Sequence, residues 1–213
     1  MSNSGDPDLF KQISDATEKA VRDAEIFLPE DVKARLVHAL NTESVLVARQ
    51  ELENIIENIC LAEERSAPIC QDTGIPVIYV TIPPGITWVP EMEQAVFTGI
   101  VNATDKVPLR PNLVDPLSRE NTGTNTGLRM PPVHVKTGEK FTITALPKGA
   151  GSENVSRIAM MNPSDKDSIP RFIVETMLIA GGRPCPPVIL GIGIGGTFDL
   201  AASLAKEALL EPV

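Results

Sequence analysis

The sequence predicts a mixed α/β (α+β) fold in which N-terminal helices pack on a small mixed sheet. Two observations lead to this prediction. Apolar residues recur at helical spacing through the first part of the chain. Further along, short β-type runs alternate with helical patterns, and many of the 19 prolines and 15 glycines separate them. We expect a helical N-terminal segment at residues 1–65 and a mixed α/β region at residues 66–213, the two forming one continuous domain.

Three helices are predicted in the N-terminal segment. Leu9 and Ile13 begin one apolar stripe, and residues 32–40 and 45–59 carry two more at every third or fourth position. Cys60 lies near the end of the third helix between apolar neighbours. Because most free cysteines behave as small hydrophobes, we expect Cys60 to be a core residue.

The first strand is predicted at residues 77–81, and a helix is predicted at residues 92–101. Residues 133–135 and 141–146 alternate in polarity, which predicts the two strands of a hairpin with its turn at residues 136–139. His134, in the first of these strands, is interpreted as a structural residue.

The C-terminal part is predicted to hold a helix at residues 168–180, an apolar strand at residues 188–190, a glycine-rich turn and a helix at residues 198–210. The turn, GIGIGG at residues 191–196, matches G-x-G-x-x-G in the strand-to-helix context of dinucleotide binding. The second strand of a βαβ unit and its acidic ribose ligand are not found after it. Dinucleotide binding is therefore a weak alternative.

Bulk properties exclude some classes of function. The net charge of −9 argues against nucleic acid as a partner, although a local arginine cluster can still bind a small anion. No run of eighteen apolar residues predicts a membrane span, and Met1 to Asp6 lack the features of a signal peptide. Three cysteines without an export signal indicate a reducing compartment, so a cytoplasmic location is expected.

The first candidate site is PICQDTG at residues 68–74, between the helical segment and the first strand. It places the thiol of Cys70, the amide of Gln71, the carboxylate of Asp72 and a hydroxyl side by side before a glycine. Connections between elements often carry functional groups on a rigid scaffold. The same residue types also form ordinary turns, so a plain turn stays open here.

Two more polar stretches are candidates. The loop LRPNLVDPLSRENTGTNTG at residues 109–127 is long enough to be either functional or disordered. Its two arginines, Arg110 and Arg119, and its repeated Asn-Thr-Gly triplets favour an ordered, anion-facing loop over a flexible linker. In KGAGSEN at residues 148–154, two glycines allow a close backbone approach to a ligand, and Ser152 to Asn154 supply polar groups. An ordinary strand-to-helix connection capped by Ser152 remains equally possible.

Cys185 lies between prolines, a context that is found beside cluster-binding cysteines. A zinc site is not favoured, because neither Cys70 nor Cys185 has a C-x-x-C or histidine partner nearby in sequence. A Cys70–His134 nucleophile pair is conceivable but has no local support.

Five motifs occur in the same order as in a known family: PICQDTG, the loop at residues 109–127, KGAGSEN, MNPSD at residues 161–165, and residues 185–197. Together they resemble the alpha part of the iron–sulfur hydro-lyases, class I fumarate hydratase and the related L-tartrate dehydratase. The resemblance runs from about residue 8 to 210. The stretch at residues 149–165 is more similar to fumarase than to tartrate dehydratase.

The resemblance implies a [4Fe–4S] cluster held by three cysteines, with one iron open to a small dicarboxylate substrate. It implies that Cys70 and Cys185 are cluster ligands, and that Gln71 and Asp72 contact substrate and take part in catalysis. Arg110 is implied to pair with a substrate carboxylate. The pocket is implied to be lined by further residues: Gly149, Gly151, Ser152, Glu153 and Asn154.

The chain departs from the family pattern in one respect. The family's third cluster cysteine has no match here, since Cys60, the remaining thiol, is not at a corresponding position. The general base and further substrate ligands of the family belong to the beta part. We therefore expect an alpha subunit, or a fragment of one, that forms a hetero-oligomer and is active only with a beta subunit. A cluster-free regulatory or binding module of the same fold is the alternative.

Overall fold

The computed structural model describes residues 7–213, and residues 1–6, where a signal peptide was not expected, lie outside the described residues. The chain forms two compact units, one ending at Lys148 and the other running from Gly149 to Val213. The mixed helix-and-sheet architecture confirms the predicted α+β class. The predicted division after residue 65 stays a prediction.

Four long helices form in the first unit, and their existence was predicted from apolar spacing. They are α1 (Pro7–Ile26), α2 (Glu30–Thr42), α3 (Leu46–Arg65) and α4 (Pro90–Lys106). Helix α1 packs closely along α4 at Gly99. A Cβ at that position would lie 2.5 Å from the Ser14 carbonyl oxygen and 2.6 Å from Thr17 Cβ. Only glycine allows the two helices to approach this closely.

The first unit has a three-stranded sheet made of β1 (Ile75–Ile82), β2 (Val133–Thr137) and β3 (Thr142–Lys148). The predicted hairpin is wrong, because β1 lies between β2 and β3. β1 pairs parallel with β2 and antiparallel with β3. Local alternation predicted both outer strands but could not reveal that the more apolar β1 takes the central position, where both strand edges are paired.

The hydrophobic core of the first unit lies between the sheet and helices α1 and α4. β1 is buried along most of its length, which explains its nearly continuous apolar sequence. The most deeply buried side chains are contributed by α1, β1 and α4: Val21, Ile26, Ile78, Val80, Val96 and Ile100. This core fixes α1 and β1, and the first candidate site lies directly before β1.

The second unit contains α5 (Ala150–Glu153), α6 (Ile169–Ala180) and α7 (Phe198–Glu207), with 3₁₀ turns at Pro163–Ser168 and Ala208–Leu210. The predicted strand at residues 188–190 is wrong, since among the described residues this segment pairs with no other strand.

Gly191 and Gly193 in the glycine-rich segment pack against the backbone of α7. A Cβ at Gly191 would lie 2.0 Å from the Ala205 carbonyl oxygen, and one at Gly193 would lie 2.1 Å from that of Ala201. Close packing on a helix therefore accounts for these two glycines. No dinucleotide-binding role is needed to explain them.

Cys60 is exposed on α3, which contradicts its prediction as a core residue. Its neighbour Ile59 occupies the buried side of that turn of helix. The apolar neighbours of Cys60 indicated burial, but of the adjacent residues Ile59 and Cys60 only Ile59 faces the core.

Among the helices of residues 7–213, none has the length and hydropathy of a membrane-spanning segment.

Candidate functional site

The segment that leads into PICQDTG is held by the two helices beside it. Helix α3 ends at Arg65, and Ser66 takes a left-handed conformation that turns the chain. Ile69 N donates to the Glu25 carbonyl oxygen on α1 at 2.9 Å. The Ile69 carbonyl oxygen accepts from Asn58 Nδ2 on α3 at 2.8 Å. The residue before Cys70 is thus fixed at both of its backbone polar groups.

Cys70, Gln71 and Asp72 form a turn that presents polar groups to solvent. Asp72 N donates to Cys70 Sγ at 3.4 Å, and Cys70 is exposed. Gly74 N donates to Asp72 Oδ1 at 3.2 Å, and its φ of +68° is one that glycine adopts without strain. These two hydrogen bonds hold Cys70 Sγ and the Asp72 carboxylate in place within the turn.

Arg110 is tied to this turn through Thr73. Arg110 N donates to Thr73 Oγ1 at 3.0 Å, and Thr73 Oγ1 lies 3.4 Å from the Arg110 carbonyl oxygen. Thr73 is buried, whereas the Arg110 side chain is exposed. In the described part of the chain, no hydrogen bond or ion pair engages the guanidinium. The backbone of Arg110 is therefore held in place, whereas its guanidinium is exposed and can bind an anion.

Asn112 forms a second connection between the same two loops. Its Nδ2 donates to the Gly74 carbonyl oxygen at 2.9 Å and lies 3.4 Å from Asp72 Oδ1. The amide of Asn125 in turn holds the backbone of Arg110 and Asn112. The predicted site residues of the first unit are thus brought together by buried or half-buried amides and a hydroxyl.

The rest of the long loop is ordered by local side-chain bonds, as its sequence predicted. Asp115 Oδ1 accepts from Leu117 N at 2.9 Å and from Ser118 N at 2.7 Å. These donors lower the pKa of the Asp115 carboxyl, which keeps it ionised. Asn121 bonds the Pro111 carbonyl oxygen through Nδ2 and Gly123 N through Oδ1.

Glu25 is a buried acid beside the site that the sequence analysis did not identify. Glu25 is 7% exposed and lies at the end of α1, where its own backbone carbonyl oxygen accepts a hydrogen bond from Ile69 N. Burial, and then the nearby charge of Asp72, raise the pKa of Glu25 to about 8. Glu25 is therefore mainly protonated at neutral pH. Its helical position gave no sign of this, because the contact arises only when the loop at Ile69 folds back on α1.

In the second unit, the predicted pocket residues at positions 149–154 form the short helix α5 and its two flanking positions. Gly149 precedes the helix and Ser152 Oγ donates to the Gly149 carbonyl oxygen at 2.9 Å, so Ser152 is not the cap. A Cβ on Gly151 would lie 2.6 Å from the Arg183 carbonyl oxygen, which places this turn against the segment before Cys185.

Two further details concern this region of the second unit. Glu153 Oε1 forms an ion pair with Lys206 Nζ on α7 at 2.8 Å. Cys185 is exposed, has a φ of +58°, and its N–H donates to the Gly182 carbonyl oxygen. The start of α5, the Cys185 segment and α7 are thus neighbours within this unit.

Thiols are soft donors that this chain offers to a metal. Cys60, Cys70 and Cys185 are free and exposed. Among residues 7–213, no group of three His, Cys, Asp or Glu side chains is placed to hold a metal ion. Cys70 and Cys185 suit iron chemically, since soft, accessible thiolates are its ligands in clusters. They number two, one fewer than the three that the resemblance implies.

His134 has a structural environment rather than a catalytic one. Its ring stacks on Tyr79, its register partner on β1, with ring centroids 4.9 Å apart. This agrees with its interpretation as a structural residue.

The fold and site together describe an α+β protein with an exposed cysteine, an amide and a carboxylate on one turn, and an arginine on a bonded second loop. Comparison with known proteins places this architecture in a family. A sequence model described as "Fumarate hydratase (Fumerase)" matches residues 14–213. The chain belongs to the fumarate hydratase family.

Some relatives are named as tartrate dehydratase alpha subunits and another as a fumarate hydratase. A Methanocaldococcus jannaschii protein, named provisionally as an L(+)-tartrate dehydratase alpha subunit, is 46% identical over 95% of this chain and 73% of its own length. A Geobacillus stearothermophilus protein, named provisionally as a class I fumarate hydratase, is 35% identical over 87% of this chain and 38% of its own. The L(+)-tartrate dehydratase alpha subunit of Escherichia coli strain UTI89 is 28% identical, over 87% and 63%.

Proposed function

We propose that this chain is the alpha subunit, or part of it, of a hydro-lyase that interconverts fumarate and L-malate. Membership of the fumarate hydratase family supports the reaction class. The relatives named as alpha subunits support a partner subunit. We propose that this partner is a fumarase-type beta subunit that completes the active site, and that the assembly is a hetero-oligomer.

The observation that carries the proposal is the bonded pair of loops in the first unit. One loop presents Cys70, Gln71 and Asp72, and the other presents Arg110. Adding water to fumarate requires a group that holds a four-carbon diacid and a group that moves a proton. A guanidinium that has no partner in the described residues can bind a carboxylate with two parallel hydrogen bonds.

Each residue of the turn has a proposed role. Asp72 contacts the substrate and takes part in catalysis, and its carboxylate is held by Gly74 N and Asn112 Nδ2. The general base that moves a proton is supplied by the beta subunit. Gln71 donates its amide hydrogens to a substrate oxygen. Gly149 and the residues after it, from Gly151 to Asn154, line the substrate pocket without a side chain at the two glycines.

The proposed cofactor is a [4Fe–4S] cluster, with Cys70 and Cys185 as two of its ligands. Cys60 is not at the position of the family's third cysteine, so the proposal assigns these two ligands alone. When bound, such a cluster supplies an open iron that acts as a Lewis acid on a substrate hydroxyl and carboxylate. Two observations support these ligands. Cys70 and Cys185 are both exposed thiols, and the prolines on either side of Cys185 constrain its backbone.

L(+)-tartrate dehydration is a second candidate, favoured by the 46% identity to the archaeal relative with that name. L-malate and L-tartrate differ in one hydroxyl group, and a pocket with polar groups that bind this hydroxyl can discriminate strongly between the two substrates. The test is an anaerobically reconstituted assembly of the chain with its beta partner, assayed with fumarate, L-malate and L-tartrate. Fumarate hydration at the highest kcat/KM supports the proposal, and turnover of tartrate alone supports the second candidate.

A cluster-free binding module of the same fold is the remaining alternative. It predicts binding of a dicarboxylate without turnover and without bound iron. Iron and sulfide analysis of the same assembly separates it from both enzymes. An assembly that holds no iron after reconstitution and turns over none of the three substrates would overturn the hydro-lyase proposal.

A further inference from the structure

We propose that Asn125 is a positioning residue that sets the place of Arg110 relative to Asp72, and that Asn112 transmits this placement. The proposal rests on the dicarboxylate site proposed above, which it deepens. Neither asparagine belonged to the residues that the family resemblance implied.

Asn125 occupies a position that few side chains could fill. It is 1% exposed, and its φ of +56° lies in the left-handed region, where asparagine is among the most tolerated residues. Its side-chain hydrogen bonds go to the backbone on both sides of Pro111. Asn125 Oδ1 accepts from Asn112 N at 2.8 Å, and Nδ2 donates to the Arg110 carbonyl oxygen at 3.1 Å.

The same amide is anchored to the scaffold. Asn125 Nδ2 lies 3.3 Å from Thr104 Oγ1, and that hydroxyl donates to the Ile100 carbonyl oxygen on α4 at 2.8 Å. Helix α4 belongs to the packed core. The buried side chain of Asn125 therefore holds residues 110–112 in a fixed position relative to helix α4.

Asn112 carries this position to the cysteine turn. Its backbone N–H is held by Asn125, and its side-chain Nδ2 reaches the Gly74 carbonyl oxygen and Asp72 Oδ1. The guanidinium of Arg110 and the carboxylate of Asp72, which both contact substrate in the proposed function, thus share one chain of hydrogen bonds. Displacing reacting groups by about 1 Å can cost about 100-fold in rate, so such a chain affects catalysis without touching substrate.

A purely structural role for Asn125 makes a different prediction. Replacing Asn125 leaves its buried partners without a hydrogen bond, which costs about 1–3 kcal/mol in the free energy of unfolding whichever role the residue has. That loss alone lowers the amount of folded protein and leaves KM and kcat of the folded fraction unchanged. The positioning role predicts that KM changes as well.

The experiment compares Asn125→Asp with Thr17→Val in the reconstituted assembly with the beta partner. Asn125→Asp keeps the acceptor and tolerates the left-handed backbone but removes both donors. Thr17→Val removes one buried hydrogen bond within α1, to the Ile13 carbonyl oxygen, and touches none of the bonds of Asn125. We expect KM for the dicarboxylate to rise about tenfold or more in Asn125→Asp at an unchanged iron content, and to stay unchanged in Thr17→Val.

A second measurement does not depend on turnover. Amide hydrogen exchange in the isolated chain, followed by NMR, should be at least about tenfold faster at Arg110 and Asn112 in Asn125→Gly than in the wild type. Glycine suits the left-handed backbone, so this variant is expected to fold even if Asn125→Asp does not.

The outcomes distinguish the two proposals. If the wild-type assembly turns over no dicarboxylate, the function proposal fails, and the exchange rates alone decide whether Asn125 holds the loop. Unchanged exchange at Arg110 and Asn112, or an unchanged KM in an active Asn125 variant, overturns the positioning role.

Discussion

Thr73 and Arg110 are joined through both backbone polar groups of the arginine. Arg110 N donates to Thr73 Oγ1 at 3.0 Å, and the Arg110 carbonyl oxygen lies 3.4 Å from the same hydroxyl. One buried side chain therefore links the cysteine turn to the arginine loop. This link leaves the guanidinium itself exposed.

Replacing Thr73 by valine should destabilise the first unit. Thr73→Val keeps the shape but leaves the Arg110 N–H without its acceptor, which typically costs about 1–3 kcal/mol in the free energy of unfolding. Thr73→Ser retains the hydroxyl and should cost less. Urea unfolding of both variants measures the difference, and equal stabilities would show that the hydroxyl does not hold the loops together.

Replacing Arg110 by lysine should weaken substrate binding and not folding. A lysine cannot reproduce the forked, two-bond contact with a carboxylate, so KM for the dicarboxylate should rise about tenfold or more. Arg119→Lys, on the same exposed loop, is the matched control and should leave KM unchanged. A rise in KM of the same size in both variants would point to a general charge effect of the loop.

Glu25 should make stability depend on pH. Its carboxyl has a pKa of about 8 in the folded chain and an ordinary value of 4.5 in the unfolded chain. Between these values the folded state holds a proton that the unfolded state has lost. The free energy of unfolding therefore falls as pH rises, by at most about 1.4 kcal/mol per pH unit.

Denaturation of wild type and Glu25→Gln from pH 4.5 to about 8 tests this dependence. The stabilising contribution is fully present below the lower pH and lost at the upper one, and the glutamine variant should lack it. Glu57→Gln, on the exposed face of α3, should follow the wild type. Parallel pH profiles for Glu25→Gln and wild type would exclude a titrating Glu25.

Replacing Gly99 by alanine should destabilise the contact between α1 and α4. The added Cβ would lie 2.5 Å from the Ser14 carbonyl oxygen, so the helices must separate, at a net cost of about 1–3 kcal/mol. Gly182→Ala is the control, since nothing lies within 4 Å of a Cβ there. Thermal unfolding should show a lower Tm for Gly99→Ala alone. An unchanged Tm would mean that the helices adjust without loss.

Much of the fold followed from periodicity, because buried faces impose it directly. The helices α1 to α4 and the strand β1 were predicted in this way. The order of the strands was not, since the sheet brings residues such as Val80 and Ile143 together from distant positions. Segments that lie on a helix without pairing, like the one at Gly191, look the same in sequence as strands.

The polar residues of the site were predicted in part. Cys70, Asp72 and Arg110 stood out because their types carry chemistry. Asn112 and Asn125 did not, because their importance lies in partners up to 40 positions away in the chain. The repeated Asn-Thr-Gly triplets were the available signal, since asparagine and glycine tolerate the left-handed backbone found at Gly123 and Asn125.

Fumarate hydration in assemblies that carry Cys70→Ser or Cys60→Ser shows whether the protein is a cluster-dependent hydro-lyase that uses Cys70. Both thiols are exposed, and both changes are equally small. We expect Cys70→Ser to lose cluster absorbance and at least about 100-fold in kcat/KM, whereas Cys60→Ser keeps both. Wild-type activity and absorbance in Cys70→Ser would contradict this expectation.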